Sequence, residues 1–476
     1  MGEWGSGGVG LSYFVTAHCT HAGRFLQNGF GSEEAGLPFL KLALAGRIAV
    51  RILRPCLFST VALNQSMSNS TSEPAPSLPL LPKKTPRPVE PKTLSAVKGR
   101  PDEPESMLPL APYKTFSEQV LRDRIEAVRA EFGEKLLILG HHYQQDDVIA
   151  HTDLRGDSYQ LSEMAASSQE CRTIVFCGVH FMAETADILA NRPDRIEARD
   201  GQRVDVSLPD MAAGCSMADM AGIRQVEAAW EDMGEVIDTE QVIPVTYINS
   251  AASLKAFCGR HGGIVCTSSN ARAVLDWAFE RGQRVFFFPD QHLGRNTALA
   301  MGMDVDVMPV WNPFALELGG NSEEQIENSR VILWKGHCSV HQMFRAEHVA
   351  KFRADHPGIQ ILVHPECPRE VNDIADISGS TGTIINTVKA APAGTKWAIG
   401  TELHLVDRLK KEHPEQEIHF LSPVMCMCAT MYRIDLPHLC WVLENLREGN
   451  LVNSIRVDEE TTKWSLIALE RMLAVK

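Results

Sequence analysis

The chain has 476 residues, 44% of them apolar, and a formal charge of −14, enough length for two or three domains around a large core. No apolar run reaches the roughly 18 residues of a membrane span, and an acidic body argues against general nucleic-acid binding. Twelve cysteines in so long a chain do not form the dense pattern of a small secreted disulfide scaffold. With no secretory signal at the start, a reducing cytoplasm is the expected compartment.

The charge is uneven. Residues 1–100 carry eleven Lys/Arg against five Asp/Glu, a balance of +6, so residues 101–476 carry −20. Residues 1–114 read as a disordered or spurious N-terminal extension. A Gly/Ser-rich opening leads into the basic, apolar stretch FLKLALAGRIAVRILRP, which has the flavour of a transit peptide. Glu3, Glu33 and Glu34 dilute that signature, which favours a true start at Met67. From Met67 to Pro112 there are eleven prolines, the composition of an extended arm. The folded body is expected from Thr115, where Thr115 and Glu118 match a capping box ahead of a helix with Val120, Leu121, Ile125 and Val128 inward.

Strands and helices then alternate. KLLILG is a strand running into His141-His142-Tyr143, and GDSYQLSEMAA a helical stretch. TIVFCGV is a buried strand before the helix FMAETADILA. PVTYINS, GIVCTSS, RVFFFPD, VILWKG, IQILVHPE and the run before SGSTGT repeat the scheme. Uninterrupted apolar strands predict parallel sheets covered on both faces, with ligands at the carboxyl ends of the strands. The segments GV-FMAE, CTSSNA and GSTGT each lie between a strand and a helix, a loose threefold repetition that three related α/β subdomains around a common centre would explain.

The loops at the strand ends concentrate polar chemistry. His141 and Tyr143 end the first strand, Ser158 opens a helix, and Tyr247 and Asn249 end PVTYIN. Thr267 and Ser268 precede a helix at Asn270, His364-Pro365-Glu366 ends IQILVHPE, and Ser380 and Thr381 lie in GSTGT. One such Ser or Thr is an ordinary N-cap. Several converging at helix N-termini point to a substrate with carboxylates or a phosphate. Glu366 beside His364 can shuttle protons, and Tyr143 is expected to face the same way as His141, with His142 opposite.

Cys215 in GCSMAD, Cys338 in KGHCSVH and Cys428 in MCMCATM sit singly in distant loops with small or polar neighbours. Three thiolates from separate loops suit a cluster at a common centre with one iron left open as a Lewis acid. No local C-x₂-C-x₂-C spacing supports that reading, and a zinc site at His337, Cys338 and His341 is the competing metal assignment. Cys171, Cys177, Cys258, Cys266 and Cys440 read as core residues, Cys367 as packing beneath its loop, and Cys19 and Cys56 belong to the leader.

The ordered set GHHYQ, GDSYQLS, GVHFMAE, GCSMAD, YINS, CTSSNA, FFPDQHLG, KGHCSVH, HPECP, GSTGT, GTE and CATM resembles the quinolinate synthase A family, the iron-sulfur quinolinate synthases of NAD biosynthesis, over about residues 117–445. The resemblance implies three similar three-layer α/β/α subdomains with parallel sheets around a pseudo-threefold axis. We place them at residues 115–206 (completed by 430–476), 207–337 and 338–429. It also implies one [4Fe-4S] cluster per chain, acting as Lewis acid, with ligands on Cys215, Cys338 and Cys428. Cys428 is preferred to Cys426 because Met431 completes the family's C-x-x-M. The implied substrates are iminosuccinate (iminoaspartate) and dihydroxyacetone phosphate, with L-aspartate oxidase as supplier of the former. Their contacts map to His141, Ser158, Tyr247, Asn249, Ser268, His364, Glu366 and Thr381, and the catalytic group to Glu366, Tyr143, His364 and Tyr247. His142 and Tyr432 depart from residues common in relatives. A cluster-free triose-phosphate aldolase or lyase and an iron-sulfur sensor are the readings from other classes.

Overall fold

The computed structural model describes residues 107–157, 160–161, 163–164, 170–425 and 427–475. Ser158, part of the GDSYQLSEMAA stretch, Cys426, Cys19, Cys56 and the extension as far as residue 106 lie outside the described residues.

Three sheets organise the body. The first contains β1 (Leu136–His141), β2 (Leu154–Gly156), β3 (Thr173–Cys177) and β4 (Asp205–Ser207), all parallel, with a short antiparallel strand, Ser454–Ile455, beyond β4. The second contains β5 (Val242–Tyr247), β6 (Ile264–Cys266), β7 (Arg284–Phe288), β8 (Val310–Trp311) and β9 (Val331–Trp334), all parallel. The third contains β10 (Gln360–Val363), β11 (Ile377–Ser378), β12 (Lys396–Gly400) and β13 (Glu417–Phe420), again parallel. The fold is therefore α/β with three subdomains.

Setting aside the added edge strands Ser454–Ile455 and β8, the three sheets share one order. The second strand is at one edge, then come the first, the third and the fourth: β2-β1-β3-β4, β6-β5-β7-β9 and β11-β10-β12-β13. In this order the first and third strands lie side by side while the chain leaves them toward different neighbours. Such a switch point opens a crevice at the carboxyl ends. Burial follows the parallel pattern. Every residue of β3, β5 and β9 is buried, and Phe286, Phe287 and Phe288 on β7 are all 0% exposed. Consecutive strand residues face opposite sides, so three buried phenylalanines in a row require helices on both faces.

The first helix, Glu118–Phe132, is capped by Ser117, whose hydroxyl accepts from the Val120 N–H, and not by Thr115, whose hydroxyl donates to Pro112 O at 2.7 Å. Leu121, Ile125 and Val128 are buried as expected, but Val120 is exposed, because it lies about 100° round the helix from Leu121 and so off the face that Leu121, Ile125 and Val128 share. The C-terminal segment is shared. Helix Leu436–Arg447 packs on Glu118–Phe132, whereas the last helix, Glu459–Ala474, packs on Ala252–Arg260 and β6 of the second subdomain. Among the described residues no helix is long and apolar enough to cross a membrane.

Candidate active site

The common strand order gives the site residues equivalent addresses. The end of the first strand and the loop after it carry His141 and Tyr143 in one subdomain, Tyr247 and Asn249 in the next, and His364 and Glu366 in the third. The loop after the second strand carries Thr267 and Ser268, and Ser380 and Thr381; Ser158 occupies the same place in sequence after β2. The loop after the fourth strand (β4, β9 and β13) carries Cys215, Cys338 and Cys428. These loops meet. His141, Tyr143, Tyr247, Asn249, Ser268, His364, Glu366, Thr381 and all three cysteines line one cavity.

Each first-strand loop is held by the neighbouring subdomain, always from the helix that follows a third strand. Glu184, on His180–Ala190, accepts the Ala252 N–H at 2.9 Å behind the Tyr247–Asn249 loop. Asn296, on Gln291–Ala300, donates to Pro365 O at 2.8 Å and Cys367 O at 2.9 Å, on either side of Glu366. Arg408, on Leu403–Glu412, donates to His142 O at 2.7 Å and Gln144 O at 2.6 Å, on either side of Tyr143. The three clamps form a closed cycle, first onto second, second onto third and third onto first. Buried hydrogen bonds of this kind fix the loops before any ligand arrives.

Protonation follows from the partners. His141 Nδ1 accepts the Tyr143 N–H at 3.1 Å and His364 Nδ1 accepts the Glu366 N–H at 3.3 Å, which leaves Nε2–H as each ring's donor. Burial pushes both imidazoles down to about 3, with His142 and Arg408 adding to the effect at His141. Both are neutral donors at physiological pH. Burial alone would raise Glu366, but His364, His341 and hydrogen bonds from His341 and Tyr247 hold it down at about 2. His341 Nδ1 donates to Glu366 Oε2 at 3.0 Å, its Nε2 meets Thr401 Oγ1 at 3.2 Å, and its ring stacks on His364 at 4.6 Å. Tyr143 bonds Thr381 Oγ1 at 2.9 Å and Thr401 Oγ1 at 3.1 Å. Burial raises both Tyr143 and Tyr247, so their hydroxyls keep their protons.

Burial also raises the thiols, Cys215 to about 12, Cys338 well above its ordinary value and Cys428 upward. Backbone N–H groups oppose burial at each sulfur: Ala218 and Met217 at Cys215, His341 at Cys338, Met431 and Thr430 at Cys428. Thiolates gathered in one cavity need a cation, and backbone amides beside sulfur suit metal-bound thiolates. The zinc alternative fares less well. Cys338, His341 and Glu366 bring ligand atoms within 4.8 Å of one another, but His337 is not among them, and both His341 nitrogens are already engaged. The other described cysteines, Cys171, Cys177, Cys258, Cys266, Cys367 and Cys440, are buried in the core.

A family model described as NadA, Quinolinate synthetase A protein, matches residues 123–474. The chain belongs to that family. Among curated relatives, a quinolinate synthase of Rhodopirellula baltica is 84% identical over 375 residues, covering 79% of this chain and 96% of the relative. One of Corynebacterium glutamicum is 53% identical over 363 residues (76% and 89%), and one of Bacillus mycoides 50% identical over 371 residues (78% and 96%). This quinolinate synthetase A family member is thus an enzyme whose cavity is assembled from equivalent positions of three subdomains.

Sequence reasoning did not single out Thr401, Glu402, Thr430 or Asp290, and considered His341 only as a zinc ligand. Thr401 and Glu402 lie in GTE, and Asp290 in FFPDQHLG. Their place after a third strand is the same as that of GV-FMAE, and aligning the three repeats by strand order is the signal that would have found them.

Proposed function

We propose that this chain is a quinolinate synthase, condensing iminosuccinate with dihydroxyacetone phosphate, with loss of phosphate and water, in NAD biosynthesis. The convergence of three cysteines, two neutral imidazole donors and several hydroxyls in one cavity carries the reading. Three half-buried thiols with backbone amides beside their sulfurs fit a [4Fe-4S] cluster on Cys215, Cys338 and Cys428. When bound, such a cluster supplies an open iron as Lewis acid toward a substrate oxygen.

The remaining work falls to the chain's own side chains. His141, His364, Asn249, Ser268 and Thr381 offer uncharged or backbone-supported donors to carboxylate and phosphate oxygens, with Ser158 in the equivalent position. Held by the inter-subdomain clamps, these donors keep two small substrates oriented. Glu366 serves as general base. At about 2 it is a weak one, but a bound dicarboxylate brings like charge beside it and raises its proton affinity. His341 stabilises the carboxylate and connects it through Thr401 to the Tyr143 hydroxyl. His364 and Tyr143 complete the set of proton donors, and Tyr247, bonded to Glu366 and Ser268, positions and polarises the substrate. The expected setting is the cytoplasm, with an L-aspartate oxidase supplying iminosuccinate.

The test is iron and acid-labile sulfide analysis of protein purified without air, beside an assay for quinolinate. About four irons per chain in wild type, lost in Cys215→Ala, Cys338→Ala and Cys428→Ala, is the expected result. An iron-free wild type after anaerobic reconstitution would bring the aldolase reading forward.

A further inference from the structure

Two of the three helices that follow a third strand begin on a buried carboxylate. Asp290, 0% exposed, caps Gln291–Ala300, and Glu402, 1% exposed, caps Leu403–Glu412. Asp290 Oδ1 accepts the Leu293 N–H at 2.7 Å, while Oδ2 accepts the Cys338 N–H at 3.3 Å. Glu402 Oε2 accepts from His404 at 2.8 Å and Leu405 at 3.4 Å, while Oε1 accepts the Cys428 N–H at 3.2 Å and meets His404 Nδ1 at 3.0 Å. The third helix has Val179 at this place and no side-chain cap.

Capping alone does not call for a carboxylate. Ser117 and Ser380 cap other helices of this chain with a hydroxyl. What the carboxylate adds is a second acceptor on the far side of the group. In both subdomains that second oxygen reaches the backbone of the cysteine in the loop after the fourth strand.

We infer that Asp290 and Glu402 are positioning residues that strap the Cys338 and Cys428 loops to the helix start beside them. Among the described residues, the helix start at Val179 offers Cys215 no such strap. The inference rests on the cluster reading above. The strapped helices are also the ones whose Asn296 and Arg408 hold the neighbouring first-strand loops, so ligand position and substrate-loop position share two rigid elements.

Asp290→Asn and Glu402→Gln test this with almost no change of shape. An amide keeps one acceptor for the helix cap, but its nitrogen is a donor and cannot accept the cysteine N–H. In the anaerobic holoenzyme each variant should load iron, release it to a chelator roughly 10- to 100-fold faster than wild type, and alter the EPR signal of the reduced cluster. Melting of apo and holo forms separates this from a merely structural cap. A cap lowers both melting temperatures alike, whereas a strap narrows the gap between them. Iron-loaded variants with wild-type release and spectra would overturn the inference, and so would failure of both to fold, which would make the two acids structural caps. If one folds, it decides the matter. A wild type without iron would instead overturn the cluster reading, before any variant is compared.

Discussion

On the proposed mechanism, proton handling turns on Glu366. It is 3% exposed, bonded to His341 and Tyr247, and flanked by His364. Glu366→Gln preserves shape and one acceptor but cannot take a proton. Turnover should fall by roughly 10²- to 10⁴-fold, with iron content and binding of a substrate analogue retained. Near-normal turnover in the iron-loaded variant would remove Glu366 from the mechanism. The buried imidazoles make a separate claim on pH. His141 and His364 stay neutral down to about 3 in the folded chain, against an ordinary value of 6.5. Between those values the unfolded chain binds more protons, so stability falls as pH drops below 6.5 and levels off above it. Glu366, held at about 2 against 4.5, adds its own loss only below 4.5. Melting temperatures of wild type and His364→Gln from pH 8 to 5 should therefore converge toward acid, with the variant losing less; equal slopes would mean His364 is protonated in the native state.

Secondary-structure elements differ in how visible they are in the amino-acid sequence. β1, β3, β5, β7, β9 and β10 carry continuous apolar runs and are recognisable by eye. β2, β4 and β8 are only two or three residues long, too short for any periodicity, and exist because a longer neighbour offers a ladder. β13 reads EIHF with only Ile418 buried, a half-exposed edge strand lacking the double-sided apolar signature. The role of the last helix depends on a partner more than 200 positions away. Gly259, on Ala252–Arg260, allows that partner to approach, since a Cβ there would lie 2.0 Å from the Trp464 carbonyl oxygen. Backbone cannot yield as a flexible side chain can, so Gly259→Ala should force the helices apart and destabilise the protein by about 1–3 kcal/mol. Chemical denaturation would measure this. Because neither Gly259 nor Trp464 lines the cavity, the iron-loaded variant should keep its Michaelis constant, and a changed constant would tie this helix pair to the site.

At the scale of the whole molecule, no subdomain contains a complete site. The cysteines, strand-end residues and helix-start hydroxyls were legible as separate loops, because each residue type suited its local turn. Their meeting at a common centre was expected too, but what fixes it was not legible, because the three clamps at Glu184, Asn296 and Arg408 are long-range hydrogen bonds with no local pattern. On the proposed reading, a cluster held by all three subdomains would cross-link the cysteine loops, which those clamps do not reach. Stabilisation by a ligand appears only where the native state binds it, and its local effect is greatest on segments of low intrinsic stability. Removing iron under anaerobic conditions should therefore lower the melting temperature by about 5 °C or more. Hydrogen exchange should quicken in the cysteine loops at 208–219, 335–343 and 421–433, while the amides of β1, β5 and β10 keep their protection. Equal acceleration everywhere would mean that iron holds the fold rather than the loops. No acceleration at all would mean that the three thiols are not joined through a common metal centre.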